Sequence, residues 1–274
     1  MKRKSRLWSS LVLMAALAAG GMGCSKLKAR DLLNKGVQAY KDGQFDQAIE
    51  DFKQAKELDP SLLTARLYLA TAYASQYVPG APSEDNNRVG QQAIQEFQEV
   101  LQIDPNNLTA IDGIGSLLYG MGANPFDPKK LNESMSYHQK HIQLKPEDPE
   151  SYYWNGVIDW TIAYRGNKDM RADYNAKARK PVKDGDPMPD ALRTDFNAKF
   201  GPVIQDGIKN LDKAIELRPD YADAMAYLNL LYRQKADIEA DSAARDNDLR
   251  LADELVDKNK EIKQKEAAQP APTP

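Results

Sequence analysis

Apolar positions recur along the chain with a helical period. Leu32, Gly36, Ala39 and Tyr40 fall three or four apart, and so do Ala48, Phe52 and Ala55, the spacing that lines one face of an α-helix. Asp42-Gly43 between the two runs supplies a turn, so residues 29–62 predict two antiparallel helices, with small Gly36 and Ala48 allowing close approach. Asp59-Pro60 ends the second helix, because proline disfavours helical geometry in the residue before it. The same punctuation returns at Asp104-Pro105, Lys145-Pro146 and Arg218-Pro219. Such a period signals a repeat architecture. Counting from these prolines gives units at 29–62, 63–107, 108–148 and 149–221, and the chain beyond Pro219 supplies a fifth at 222–266.

The later units are longer, and the extra residues fall between the two helices of each. Val78-Pro79-Gly80 opens one insertion and Asn124-Pro125 another, where Asp127 is placed to cap a helix that begins at Pro128. The long insertion is expected over 166–200, helical from Asp190 to Phe200 and broken or kinked at Gly201-Pro202 before the second helix resumes. In the last unit one helix is expected from Ala222 to about Ala240. A second, from Ala244 to Glu266, carries Leu249, Ala252, Leu255, Val256 and Ile262 on one stripe and charge elsewhere, as suits a solvent-facing end cap. Residues 267–274 are proline-rich at their end and expected to be disordered.

Leu32, Gly36, Tyr40, Gly43, Phe45, Ala48, Phe52, Ala55 and Pro60 stand where a tetratricopeptide repeat has them, and the segment resembles that family. The resemblance extends over about 29–260. It implies an all-α solenoid of about five helix–turn–helix repeats with inter-helix insertions and a C-terminal capping helix. It also implies that the first helices line a groove for a segment of another protein. By that resemblance Leu33, Val37, Tyr40, Lys41, Leu67, Thr71, Asp112, Tyr119, Tyr153, Val157, Trp160 and Arg233 face the groove, with Gln234 beside the last. Chaperone-binding members clamp a terminal carboxylate with Lys and Asn. Here the matching places hold Leu33, Val37, Tyr68, Thr109 and Gly113, so that clamp is not expected. Tyr40, Tyr119, Tyr153 and Trp160 are the candidate anchors, since aromatic side chains dominate binding energy at interfaces; packing within the repeat is the other role open to them.

The N-terminus reads differently. Lys2, Arg3, Lys4 and Arg6 precede the apolar run Leu11 to Ala19, the order of a secretory signal peptide over residues 1–23. The run is shorter than the ~20 residues that span a bilayer. Gly21-Met22-Gly23-Cys24 resembles the bacterial lipobox, although Gly21 departs from the usual leucine. The resemblance implies an acylated Cys24 as mature N-terminus, with residues 24–28 as anchor and short tether. An ordinary signal peptide cut near Ala18-Ala19-Gly20 would leave Cys24 as a free thiol. Ser25 is not the aspartate that resembles an inner-membrane retention signal, so the periplasmic face of an outer membrane is the expected address in a two-membrane host.

Composition narrows the chemistry. One cysteine among 274 residues precludes an intramolecular disulfide or a Cys₄ zinc site. A net charge of −3 lacks the basic footprint of a nucleic-acid binder. No nucleophile elbow, HExxH, phosphate loop or dinucleotide fingerprint occurs, so no enzyme and no cofactor is expected. Asp112-Gly113-Ile114-Gly115 lies within a predicted helix, with Gly115 as the small packing position. His138 and His141 share one helix face, but interface packing explains them better than a metal site, and none is expected. Arg165, Lys168, Arg171, Lys177, Arg179, Lys180 and Lys183 oppose only Asp169 and Asp173, making the long insertion locally basic. Anionic lipid or an acidic partner could meet it, and a solvated, tolerated insertion is the other reading. The chain therefore reads as a membrane-anchored scaffold for other envelope proteins. The alternative is a glycan- or small-molecule-binding lipoprotein using Trp154 and Trp160.

Overall fold

The computed structural model describes residues 24–183 and 185–268. Among them every regular element is an α-helix. Helix α1 covers residues 24–41. It is followed by α2 (Phe45–Leu58), α3 (Leu63–Gln76), α4 (Glu84–Ile103), α5 (Leu108–Ala123) and α6 (Pro128–Leu144). Then come α7 (Pro149–Asn175), α8 (Asp190–Leu217), α9 (Ala222–Ile238) and α10 (Ser242–Ala268). The chain divides into two compact units between Leu117 and Leu118, inside α5. Helices α2, α4, α6 and α8 each end immediately before an Asp/Lys/Arg-Pro pair, as the punctuation predicts. Their first turns differ: Ser83, Asp127 and Asp148 cap α4, α6 and α7 through side-chain oxygens, with proline at the first position of the latter two. These acceptors satisfy backbone N–H groups that a helix start leaves unpaired.

In the first unit α2 packs on α3 and α3 on α4. Gly36 on α1 lies so close to Phe52 that a Cβ there would stand 2.5 Å from the ring. Phe52 is fully buried and stacks on Tyr68. Leu32, Ala55 and Ala65 form the centre of a small core, with Leu33, Leu58 and Leu62 against it. Gly113 meets Phe97 in the same manner, at 2.5 Å. Gly115, the expected small packing position, is buried on the same helix. Lys56 pairs with Glu96 at 2.5 Å, and Arg66 with Glu99.

In the second unit α6 packs on α7, α7 on α8, α8 on α9 and α9 on α10, while α7 also touches α9. Gly156 repeats the close approach against Leu211 and Gly166 against Phe200, with hypothetical Cβ distances of 2.4 and 2.2 Å. The main core joins Ala163, Leu192, Phe196, Ile204, Leu211, Ala224, Leu228 and Leu231.

Residues 24–28 are helical and run into the rest of α1, because Lys26, Leu27 and Lys28 offer nothing that stops a helix. Three expectations change. The extra length at 166–200 is mainly longer helices: α7 continues to Asn175 and α8 starts at Asp190, so the loop is 176–189. Helix α8 is unbroken at Gly201-Pro202. Proline there forfeits one backbone bond, but Phe196 and Ile204, both buried, hold the helix on either side of it. Residues 267 and 268 belong to α10 rather than to a tail. The signal peptide and residues 269–274 lie outside the described residues.

Two buried groups make stability depend on pH. Asp159 is 5% exposed, and burial, followed by the nearby Asp206 carboxylate, pushes its carboxyl up to about 8 against a bond from Asn210. The folded chain keeps that proton where the unfolded chain has lost it above its ordinary 3.8, so stability falls as pH rises between the two values. His138 is the converse case. Burial, then the neighbouring His141, lowers its imidazole to about 4, so stability falls as pH drops from 6.5 toward that value.

Thermal melts should therefore show Asp159→Asn raising Tm by about 5 °C at pH 8 and by less at pH 4.5. His138→Phe should flatten the acid-side decline, and equal effects of either substitution at all pH values would contradict these assignments. Gly156→Ala separates packing from helix propensity. Propensity alone favours alanine by ~1 kcal/mol, whereas forcing a methyl into Leu211 costs ~1–3 kcal/mol. Urea unfolding should show net destabilisation.

Candidate peptide-binding cleft

The second unit carries a run of touching aromatic rings along its first helices. Tyr119 meets Trp154 at 5.3 Å, Trp154 meets Tyr153 at 5.3 Å, and Tyr153 meets Tyr221 and Tyr227 at 5.0 and 5.9 Å. Tyr227 continues edge-on to Trp160 at 5.1 Å, and Trp160 stacks in parallel on Tyr164 at the same distance. Burial raises the hydroxyl pKa values of Tyr153, Tyr221 and Tyr227, and for Tyr221 the bond to Glu150 adds to it. Glu150 is held by Tyr221 at 2.6 Å and Arg218 at 2.8 Å.

The run ends at a cleft of about 480 Å³. Trp160, Tyr164 and Lys168 border it from α7, Leu230, Arg233 and Gln234 from α9, and Arg245 and Leu249 from α10. Gly185 of the 176–189 loop lies on its edge. Gln234 is 6% exposed, and neither its amide oxygen nor its amide nitrogen has a hydrogen-bond partner. Leaving such a buried pair unmet costs about 1–3 kcal/mol per group, so the site is built with unspent hydrogen-bonding capacity.

Arg171 fixes the wall. It is 4% exposed and donates to Asn167 at 2.8 Å, to the Lys183 and Asp186 carbonyls at 3.2 and 3.0 Å, and to Asp237 at 3.1 Å. Asn167 donates to the same Asp237 oxygen at 3.1 Å. Asn175 and the Val182 backbone exchange two further bonds, of 2.9 and 2.8 Å, and Arg245 reaches the Gly185 carbonyl at 3.4 Å. The insertion is thus strapped to α7, α9 and α10.

The predicted groove residues divide. Trp160 and Arg233 share the cleft, joined by Lys168 from the basic set. Tyr153 and Tyr119 are half-buried in the ring run, and the Tyr119 hydroxyl lies 3.4 Å from Thr161. Val157 is not a groove residue: it is 1% exposed, because its place on α7 faces the packed side. In the first unit Leu33 packs on the core, Tyr40 is tied to Phe45 and to Ser75 at 2.7 Å, and Thr71 bonds the Leu67 carbonyl at 2.8 Å. Val37, Leu67 and Asp112 are half-buried and Lys41 is exposed.

The basic insertion is not one loop patch. Arg165 pairs with Asp169 at 3.0 Å on α7, Arg171 is interior, and Lys177 borders a separate groove with Asp173, Asp195 and Lys199. Lys177, Arg179, Lys180 and Lys183 stand exposed on the loop itself. His138 stacks on Trp154, and His141 lies 3.5 Å from Asp148; among the described residues no group of three or more His, Cys, Asp or Glu could hold a metal ion. Sequence reasoning missed Tyr164, Asp237 and Arg245. The spacing Trp160, Tyr164, Asn167, Lys168, Arg171 on one helical face was the available signal for the α7 side.

Arg171→Met should destabilise the chain by ~3–5 kcal/mol, because Asp237 is left buried without its cation. Amide exchange should quicken selectively over 176–189, and unchanged exchange there would refute the strap.

The tetratricopeptide repeat family model matches residues 29–62. No curated protein sequence matches the chain. Several solved structures share its fold. A crystal structure of MamA is 17% identical with a TM-score of 0.55, covering 90% of this chain and 98% of that one. MamA from Desulfovibrio magneticus RS-1, from residue 41 to its end, is 17% identical with a TM-score of 0.56, covering 87% and 96%. YrrB, a tetratricopeptide protein with an unusual peptide-binding site, is 16% identical with a TM-score of 0.51, covering 84% of each chain. Residues 29–62 thus match one tetratricopeptide repeat, and the chain shares an all-α helical-repeat fold with these structures.

Proposed function

We propose that the chain is a scaffold that binds a segment of another protein in the cleft between α7, α9 and α10, and that it does so at a bacterial cell envelope, anchored by a lipid on Cys24. One observation carries the binding half of this reading. Gln234, 94% buried by its exposure of 6%, holds a donor and an acceptor without partners beside the stacked Trp160–Tyr164 rings. A peptide backbone offers the complementary acceptor and donor, and its side chains suit the rings and Leu230. Small-molecule and glycan ligands are favoured less, since Trp154, the second ring that reading needs, packs on Tyr119, Tyr153 and His138 and does not border the cleft.

The anchoring half rests on the lipobox resemblance and on an exposed, unpaired Cys24. Two acyl chains add about 0.8 kcal/mol per buried CH₂ and hold stably where one chain does not. Among the described residues no helix is long and apolar enough to cross a membrane. The scaffold reading needs no catalytic group.

A photoreactive residue placed at Tyr164 should give discrete protein adducts in intact cells, while one at exposed Lys209, on α8, should not. Absence of adducts at Tyr164 would overturn the binding site. In fractionation, Cys24→Ala should move the chain from the membrane to the soluble fraction, and an unchanged distribution would refute the anchor.

A further inference from the structure

We propose that the segment bound in this cleft is acidic, an extended stretch in which an internal Asp or Glu side chain sits beside an aromatic or aliphatic one. The proposal rests on the peptide-binding reading above and adds the chemistry of the peptide. It follows from the charges around the cleft. Three ionised groups besides Lys168 and Arg171 bear on it, and their partners differ. Asp237 is met by Asn167 and Arg171, both at 3.1 Å. Arg233 is met by Asp253 at 2.7 Å. Arg245 has no carboxylate partner among the described residues: one nitrogen reaches only the Gly185 carbonyl at 3.4 Å, and its Nε is buried without a partner. Lys168 likewise has no carboxylate partner there and lies 5.7 Å over the Tyr164 ring. Among the described residues the cleft therefore presents two cations without a carboxylate partner beside Asp237, whose charge is already met.

Gln234 orients what enters. Its amide can accept from the N–H and donate to the C=O of one extended residue, which fixes the backbone rather than a side chain. A carboxylate side chain on or near that residue meets Lys168 and Arg245, and charge-assisted bonds of this kind are about twice as strong as neutral ones. The Trp160–Tyr164 stack and Leu230 then receive the adjacent apolar side chain. A free chain end would offer a carboxylate too, so the test peptides carry blocked ends.

The test uses the full chain and a library of N-acetylated, C-amidated octapeptides with randomised centres. Retained peptides should be enriched in Asp or Glu next to Phe, Tyr, Leu or Ile. Replacing the acid of a retained peptide by its amide should weaken binding about tenfold at low salt, an effect that shrinks as salt rises. Lys168→Gln and Arg245→Gln should each cut that preference, lowering the affinity for the acidic peptide more than for its amide. Gln234→Leu should weaken acidic and amide peptides alike. Retained peptides without acidic enrichment would overturn this proposal and leave the peptide-binding reading standing. Tighter binding of non-amidated peptides with the acid only at the chain end would overturn the internal-residue assignment. Retention of no peptide by the folded chain would overturn both.

Discussion

Two helices can lie against each other at backbone distance only where one of them lacks a side chain, and the packing of this protein depends on that constraint. Gly36 receives Phe52, Gly113 receives Phe97, Gly156 receives Leu211 and Gly166 receives Phe200. Each pair sets a large apolar group of one helix into the gap left on its neighbour, and each large group is largely or fully buried or packed against the core. The hydrophobic yield of such burial, about 1.5–3 kcal/mol per side chain, is obtained repeatedly along the chain. No other element type could substitute: among the described residues all regular backbone is helical, so tertiary structure consists of helix faces meeting in sequence order.

The same device, applied once more than a repeat requires, builds the cleft. Gly166 with Phe200 prolongs the α7–α8 pair beyond the usual repeat length. That prolongation carries Tyr164, Asn167, Lys168 and Arg171 past the level where a shorter first helix would have ended. Arg171 then turns the returning loop inward, since its guanidinium is met by Asp237 on α9, by Asn167 and by two loop carbonyls. A cation inside a protein is tolerable only when paired and hydrogen-bonded, and satisfying this one fixes three segments together. The cost of the arrangement is moved next door, to Gln234, whose amide is left for a ligand to satisfy.

Much of the fold was legible in the sequence because it is written in local signals. The Asp/Lys/Arg-Pro pairs mark four helix ends, Asp127-Pro128 marks a helix start, and the spacing of Leu32, Gly36, Phe52 and Ala55 marks one hairpin. At Gly201-Pro202 a break was one of two outcomes open, and it does not occur: proline's local cost is outweighed by burial of Phe196 and Ile204 on either side, which no local rule records. Arg171 did mislead. A cluster of cations reads as solvated surface, and only the contact with Asp237, far along the chain, reveals that one of them is interior. The site was half legible. Trp160 and Arg233 follow from repeat register, whereas Arg245 and the loop edge at Gly185 depend on how the longer helices return.

The most direct test of the cleft is the environment of its tryptophan. In the chain labelled with 5-fluorotryptophan, Trp160 faces the cleft while Trp154 packs on Tyr119, Tyr153 and His138 outside it. Titration with a retained acidic octapeptide, followed by fluorine NMR, should shift the Trp160 resonance saturably and leave that of Trp154 in place. A Trp160 resonance that stays fixed while the peptide binds would contradict the account.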